Sequence, residues 1–168
     1  MAECLPGKRT EVRKRFKNGH LDRNEWNYEA REEEGVIATG FAGDTSEFEL
    51  FLEPLDDVGL LKLFAPYPNL VPPASRPDVL EFYNLVNRNA SLGRMILDPT
   101  EGRVATAVVT AVEPGDLRDR VITHCLVACI NHCEVFQPAA LSIVHGNVPP
   151  QAALDAAMAA HEARQAAR

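Results

Sequence analysis

Residues 81–111 read EFYNLVNRNASLGRMILDPTEGRVATAVVTA, the end of a helix followed by a two-stranded hairpin. Leu80, Tyr83, Val86 or Asn87, and Ala90 recur every three or four positions, so the segment from about Ser75 to Ala90 presents one apolar stripe as a helix. Ser75 is the expected cap, with Pro77 tolerated near the start and Asp78 placing negative charge in the first turn. Asn89 and Ser91 are weak helix residues, and Gly93 lets the chain turn into Met95, Ile96 and Leu97. Asp98-Pro99-Thr100-Glu101-Gly102 is a turn in which Asp accepts backbone hydrogen bonds and Gly takes the left-handed position. Val104, Ala107, Val109 and Val112 continue as a strand. A helix and a hairpin joined this closely share one core.

Upstream, Trp26, Tyr28 and Ala30 alternate with polar neighbours, and residues 32–35 form a polar turn into a returning strand, Val36 to Phe41. After a turn at Gly43-Asp44-Thr45, Phe48, Leu50 and Leu52 face one way while Glu47, Glu49 and Glu53 face the other. Pro54 to Asp57 is a further turn before Val58 to Ala65, so four consecutive antiparallel strands are expected. Four prolines within residues 66–73 make a stiff connector to the central helix. A long second helix is expected from Pro114-Gly115-Asp116 to about Phe136. Leu117, Val121, Cys125, Ala128 and His132 share one of its faces, and Pro138 ends it. Leu141 to Val144 reads as a short strand or docking segment. Pro149-Pro150 opens an Ala-rich helix to about Ala166, anchored by Leu154 and Met158. The fold class is therefore α+β, an antiparallel sheet of about five to six strands flanked by helices.

With 168 residues, 46% of them hydrophobic, the chain is one domain long and needs no disulfide or metal to bury a core. Residues 1–25 read as a basic arm with a possible short helix at Thr10 to Phe16 ended by Gly19, and 26–168 as a single domain. The net charge of −7 is uneven. Lys8, Arg9, Arg13, Lys14, Arg15 and Lys17 outweigh Glu3 and Glu11, whereas Arg31 alone faces eleven carboxylates between Glu25 and Asp57. An acidic body excludes nucleic acid and anionic membranes as partners, and the arm reads as a solvated terminus. The charged N-terminus, the lack of an uncharged apolar run of about 18 residues and three helical cysteines point to a cytoplasmic protein.

The sharpest chemical candidate is His124-Cys125-x-x-x-Cys129-x-x-His132-Cys133. Cys125, Cys129 and His132 or Cys133 share one side of a helix, where thiolates and imidazole could hold a soft metal. One straight helix seldom wraps four ligands around an ion, and cysteine is among the most buried residue types, so the core reading is preferred and no metal or cofactor is expected. The carboxylates on the first strands alternate outward beside turns and read as a solvated face rather than acid and base groups. No phosphate-binding loop, nucleophile elbow or HExxH motif is present. His20, His145 and His161 are scattered, and Ser142 near His145 has no third partner. Asn84, Asn87 and Asn89 are expected to bond backbone at the helix-to-strand turn. No catalytic residue emerges.

Asn84-Leu85-Val86-Asn87, then Leu92-Gly93-Arg94-Met95, the strand pair around Asp98 and Gly102, and a closing Ile143-Val144-His145-Gly146 together resemble the YbjN family of bacterial sensory transduction regulators. The resemblance runs from about Trp26 to Ala157. That family is similar in fold to the type III secretion chaperones, small acidic α+β proteins that dimerise and hold partially unfolded partners. The resemblance implies a type III secretion chaperone-like sheet flanked by helices, no catalysis, and action through protein contacts as a regulatory or interaction module. A secretion-type chaperone is the alternative, and a metal or redox sensor through the Cys and His helix the least favoured. A protein partner and a possible homodimer follow. The Cys-rich helix is outside the family pattern and gains nothing from it.

Overall fold

The computed structural model describes residues 27–31, 33, 35–43, 47–55, 58–112 and 119–167. Period-two alternation produces four antiparallel strands in succession, β1 (Tyr28–Arg31), β2 (Val36–Ala42), β3 (Glu47–Leu55) and β4 (Leu60–Pro66). After the connector come α1 (Arg76–Asn89), β5 (Arg94–Leu97), β6 (Val104–Ala111), α2 (Asp119–Gly146) and α3 (Pro150–Ala166). The sheet has six strands in the order β1-β2-β3-β4-β6-β5, the upper end of the expected number. Its inward rows, Phe48, Leu50 and Leu52 on β3 and Leu61, Leu63 and Ala65 on β4, are at most 5% exposed. Against them lie Val79, Phe82, Tyr83 and Val86 of α1 and Ile122, Cys125, Leu126, Cys129 and Cys133 of α2. Each large apolar side chain so buried contributes about 1.5–3 kcal/mol. The fold is α+β with its helices gathered on one face of the sheet.

Several local expectations are corrected. β3 runs through Pro54, which pairs with Leu61, and the turn falls after Leu55. Pairing with β2 ends at Leu52, so on that side Pro54 has no ladder bond to lose. The buried stripe of α1 is Val79, Phe82, Tyr83 and Val86, so Tyr83 and Val86 are buried as expected, while Val79 takes the place of Leu80, which is 40% exposed. Ser75 occupies the cap position but makes no side-chain bond there, because a 3-10 turn over Pro73–Ser75 already feeds the chain into α1. α2 does not stop at Pro138, and Leu141 to Val144 is helix, not strand. Pro138 itself is exposed. Val135, Ala139, Ala140 and Ile143 are buried on both sides of it, and that burial outweighs the roughly 3 kcal/mol a mid-helix proline costs. α3 packs through Ala153 and Ala157, while Met158 points outward at 41% exposure. The expected helix at 10–16, its end at Gly19, the strand residue Trp26, the turn at Asp44 and Thr45, the opening at 114–116 and Leu117 lie outside the described residues.

α2 is long and apolar enough, by length and composition, to cross a membrane, with a mean hydropathy of 1.2 over an 18-residue window. Part of that apolar surface, Ile122, Cys125, Leu126, Cys129 and Cys133, is packed into the core.

The hairpin β5–β6 is fastened to α1 at both ends of the helix. Near the start, the Arg76 guanidinium donates to the carbonyls of Val71 (3.1 Å), Pro99 (3.0 Å) and Thr100 (2.9 Å). The turn closes as its sequence predicts: Asp98 Oδ1 accepts from the Thr100 and Glu101 amides (2.7 and 3.1 Å). Those bonds hold its carboxyl below the usual range. Gly102 sits at φ +80°, and a Cβ there would run into the Val71 carbonyl oxygen and approach Arg76 Nη2 at 2.9 Å, so conformation and space both demand glycine. At the other end, Asn87 Nδ2 donates to the Met95 carbonyl (2.9 Å) while the Met95 amide donates to Asn87 Oδ1 (2.8 Å). The side-chain amide thus acts as a substitute strand for the middle of β5, as expected for an asparagine at this turn. Asn89 bonds back to the Leu85 carbonyl at 3.3 Å.

Asn87→Leu leaves an amide and a carbonyl of β5 without partners. It is expected to lower unfolding free energy by about 2–4 kcal/mol in urea titrations, whereas Asn84→Ala at the exposed neighbouring position stays within about 0.5 kcal/mol of the parent.

Candidate protein-interaction surface

The Cys and His stripe is divided by its surroundings. Cys125, Cys129 and Cys133 are buried at 2%, 0% and 0% exposure on the side of α2 that faces the sheet. The pairing of Cys129 with Cys133 holds the Cys133 thiol below the ordinary range and leads burial in pushing the Cys129 thiol up. Burial raises Cys125. Around Cys133, Tyr67 Oη lies 2.7 Å from Thr106 Oγ1, which donates to Met95 Sδ at 3.3 Å. This sulfur and hydroxyl knot is sealed in the core, so none of these three thiols is presented to solvent. His132 turns elsewhere: its Nδ1 is 2.8 Å from the Ala128 carbonyl, its ring meets Phe136 edge-on at 5.4 Å, and Gly93 leaves room for it. His124 is exposed. Among the described residues no three His, Cys, Asp or Glu side chains are gathered to hold a metal ion.

The other side of the sheet carries a more informative arrangement. Register places Ala38, Phe51, Phe64 and Ala107 in one transverse row, with Glu29 and Arg94 at its ends. A second row runs Glu53, Lys62, Val109. Arg31 lies over the Phe51 ring at 5.3 Å and is tied to Glu49 (2.9 Å) and Glu29 (3.4 Å). Lys62 lies over the Phe64 ring at 5.4 Å and is tied to Glu53 (3.2 Å). Each aromatic thus has a cation as a lid and each cation a carboxylate as a stay. Phe51 and Phe64 remain half-buried, while Ile96 and Val109 are 45% and 50% exposed.

Exposed ion pairs contribute about 0–1 kcal/mol and an exposed cation over a ring about 0.5–1 kcal/mol. The lids therefore open cheaply, uncovering an aromatic strip rimmed by Glu29, Glu49 and Glu53. The sequence reading saw the acidic half of this face and missed the apolar half. Phe51 shares the parity of Glu49 and Glu53, and that parity is the signal that could have found it.

The fold is thus a six-stranded antiparallel sheet covered by helices on one side. Two solved structures share it. The crystal structure of the ExsC–ExsE complex matches with a TM-score of 0.55 at 16% identity, over 77% of this chain and 92% of that one. YbjN from E. coli matches with a TM-score of 0.52 at 13% identity, over 87% of this chain and 95% of that one. A sequence search of curated proteins gives no match. The sequence profile of the YbjN family, described as "Putative bacterial sensory transduction regulator", matches residues 18–142. The chain belongs to the YbjN family.

Burial holds the His132 imidazole below its usual value of 6.5, and Arg94 adds to the effect, partly opposed by the Ala128 carbonyl. The unfolded chain then takes up a proton before the folded one does. This contribution is fully present above about pH 6.5 and is lost as pH falls through the unfolded value towards the lower folded one. His132→Gln should flatten the drop in unfolding free energy between pH 7 and pH 5 relative to the parent; parallel profiles would contradict the buried neutral imidazole.

Proposed function

We propose that the protein is a non-enzymatic regulatory module of the YbjN type that acts in the cytoplasm through protein contacts, with residues 26–168 as one working unit. The observation that carries this is the outer sheet face, where Phe51 and Phe64 lie under cations that are themselves held only by exposed carboxylates. A partner that brings its own apolar side chains and basic groups covers the rings and competes with Arg31 and Lys62 for the carboxylates. The acidic rim repels nucleic acid and favours a basic protein segment. Likeness to a chain solved as a complex, ExsC–ExsE, supports a protein partner. The sealed thiols support a role without catalysis.

A second reading is a secretion-type chaperone that works as a homodimer and holds a partially unfolded partner. The same fold likeness favours it, as do the exposed apolar side chains Ile96 and Val109 on this face.

Light scattering across a concentration series, joined to affinity capture from lysate, tests both. The double substitution Phe51→Glu and Phe64→Glu is expected to abolish capture of specific proteins, or the dimer, while circular dichroism and Tm stay within a few degrees of the parent. A parent that remains monomeric and retains no protein, or a variant that retains the same proteins, overturns the reading.

A further inference from the structure

On the helical side, the connector arches over α1 and the second half of α2 and leaves a recess between Val71, Val104 and Val144. It holds about 360 Å³ of empty space counted out to its mouth, where Leu70 is 62% exposed. Tyr83 and Gln137 line it at 2% and 5% exposure, and Tyr83 Oη and Gln137 Oε1 are both buried without a hydrogen-bond partner. Buried polar atoms are nearly always paired, and leaving one unmade is unfavourable. Two such atoms lining one recess mark a place prepared for something else. Among the described residues no carboxylate, lysine or arginine lines it, and besides the phenols of Tyr67 and Tyr83 the ionisable side chain there is the exposed His145, so a cation would meet no counter-charge. Burial also keeps the Tyr83 phenol protonated by raising it.

We infer that this recess is a binding site for a small neutral amphiphile, a short branched alcohol or similarly shaped molecule with one hydroxyl on an apolar body. A hydroxyl is one donor and an acceptor, so a single group donates to Gln137 Oε1 and accepts from Tyr83 Oη. The apolar body lies between Val71, Val104 and Val144 and replaces water at the mouth. The recess admits about two groups of the size of water, which suits a hydroxyl end rather than a ring system. This assignment is independent of the outer sheet face, which lies across the sheet.

Titration of the full chain with 3-methylbutan-1-ol, followed by amide NMR, tests it against the methyl ether of the same alcohol, which cannot donate. The alcohol is expected to shift the amides of Val71, Tyr83, Val104 and Gln137 saturably, and the ether to bind about tenfold more weakly. Tyr83→Phe should weaken alcohol binding about tenfold and leave Tm unchanged or slightly raised, because the removed hydroxyl bonds to nothing. Gln137→Leu should weaken binding in the same way. Equal binding of alcohol and ether, no shifts at these amides, or a Tyr83→Phe variant less stable than the parent would overturn the proposal. The last result would mean that ordered water already satisfies the hydroxyl.

Discussion

The Asn87 amide bonded to both backbone groups of Met95 is the constraint on which the architecture turns. β6 pairs with β4 only if the hairpin swings round behind the connector and lays β5 on the outside. Nothing in the strand propensities of Val104 to Ala111 selects that side. The clamp at Asn87 and the bonds of Arg76 to the Pro99 and Thr100 carbonyls fix the hairpin to the two ends of α1, so placing α1 over the sheet places β5 and β6 with it. The same clamp occupies the outward bonds of Met95, which blunts that edge of the sheet against pairing with another strand.

With the helices committed to one face, the two faces of the sheet serve different purposes. The inner face is closed by aliphatic packing and by the knot of Cys133, Thr106, Tyr67 and Met95, which absorbs the residues most suggestive of chemistry into the core. Among the described residues, the outer face is covered by nothing stronger than cations over rings. Its aromatics are shielded enough to avoid an open apolar strip and are held there only by weak contacts.

How much of this was legible depends on how local each determinant is. β3 was readable because burial on one face writes itself as alternation from Phe48 to Leu52, and the Asp98 to Gly102 turn because its residues carry their own geometry. The start of the buried stripe on α1 was not, since Val79 and Leu80 are adjacent and both apolar, and only the sheet beneath decides which is buried. Pro138 misled for the same reason: a local rule ended the helix, and the packing of Val135, Ala139 and Ala140 carried it on. The cation lids join Arg31 to Phe51 across two strand registers, and the recess brings Tyr83 to Gln137 from different helices. Such pairings exist only after the chain has folded.

The central claim, that the outer sheet face is where this protein meets its partner, is tested most directly by site-specific photo-crosslinking in cells. A benzophenone side chain is placed at Val109 on that face and, as a comparison, at Leu80 on the exposed side of α1. The account predicts discrete protein adducts, with a partner or a second copy, from Val109 and none from Leu80. Adducts from Leu80 alone, or none from Val109, would contradict it.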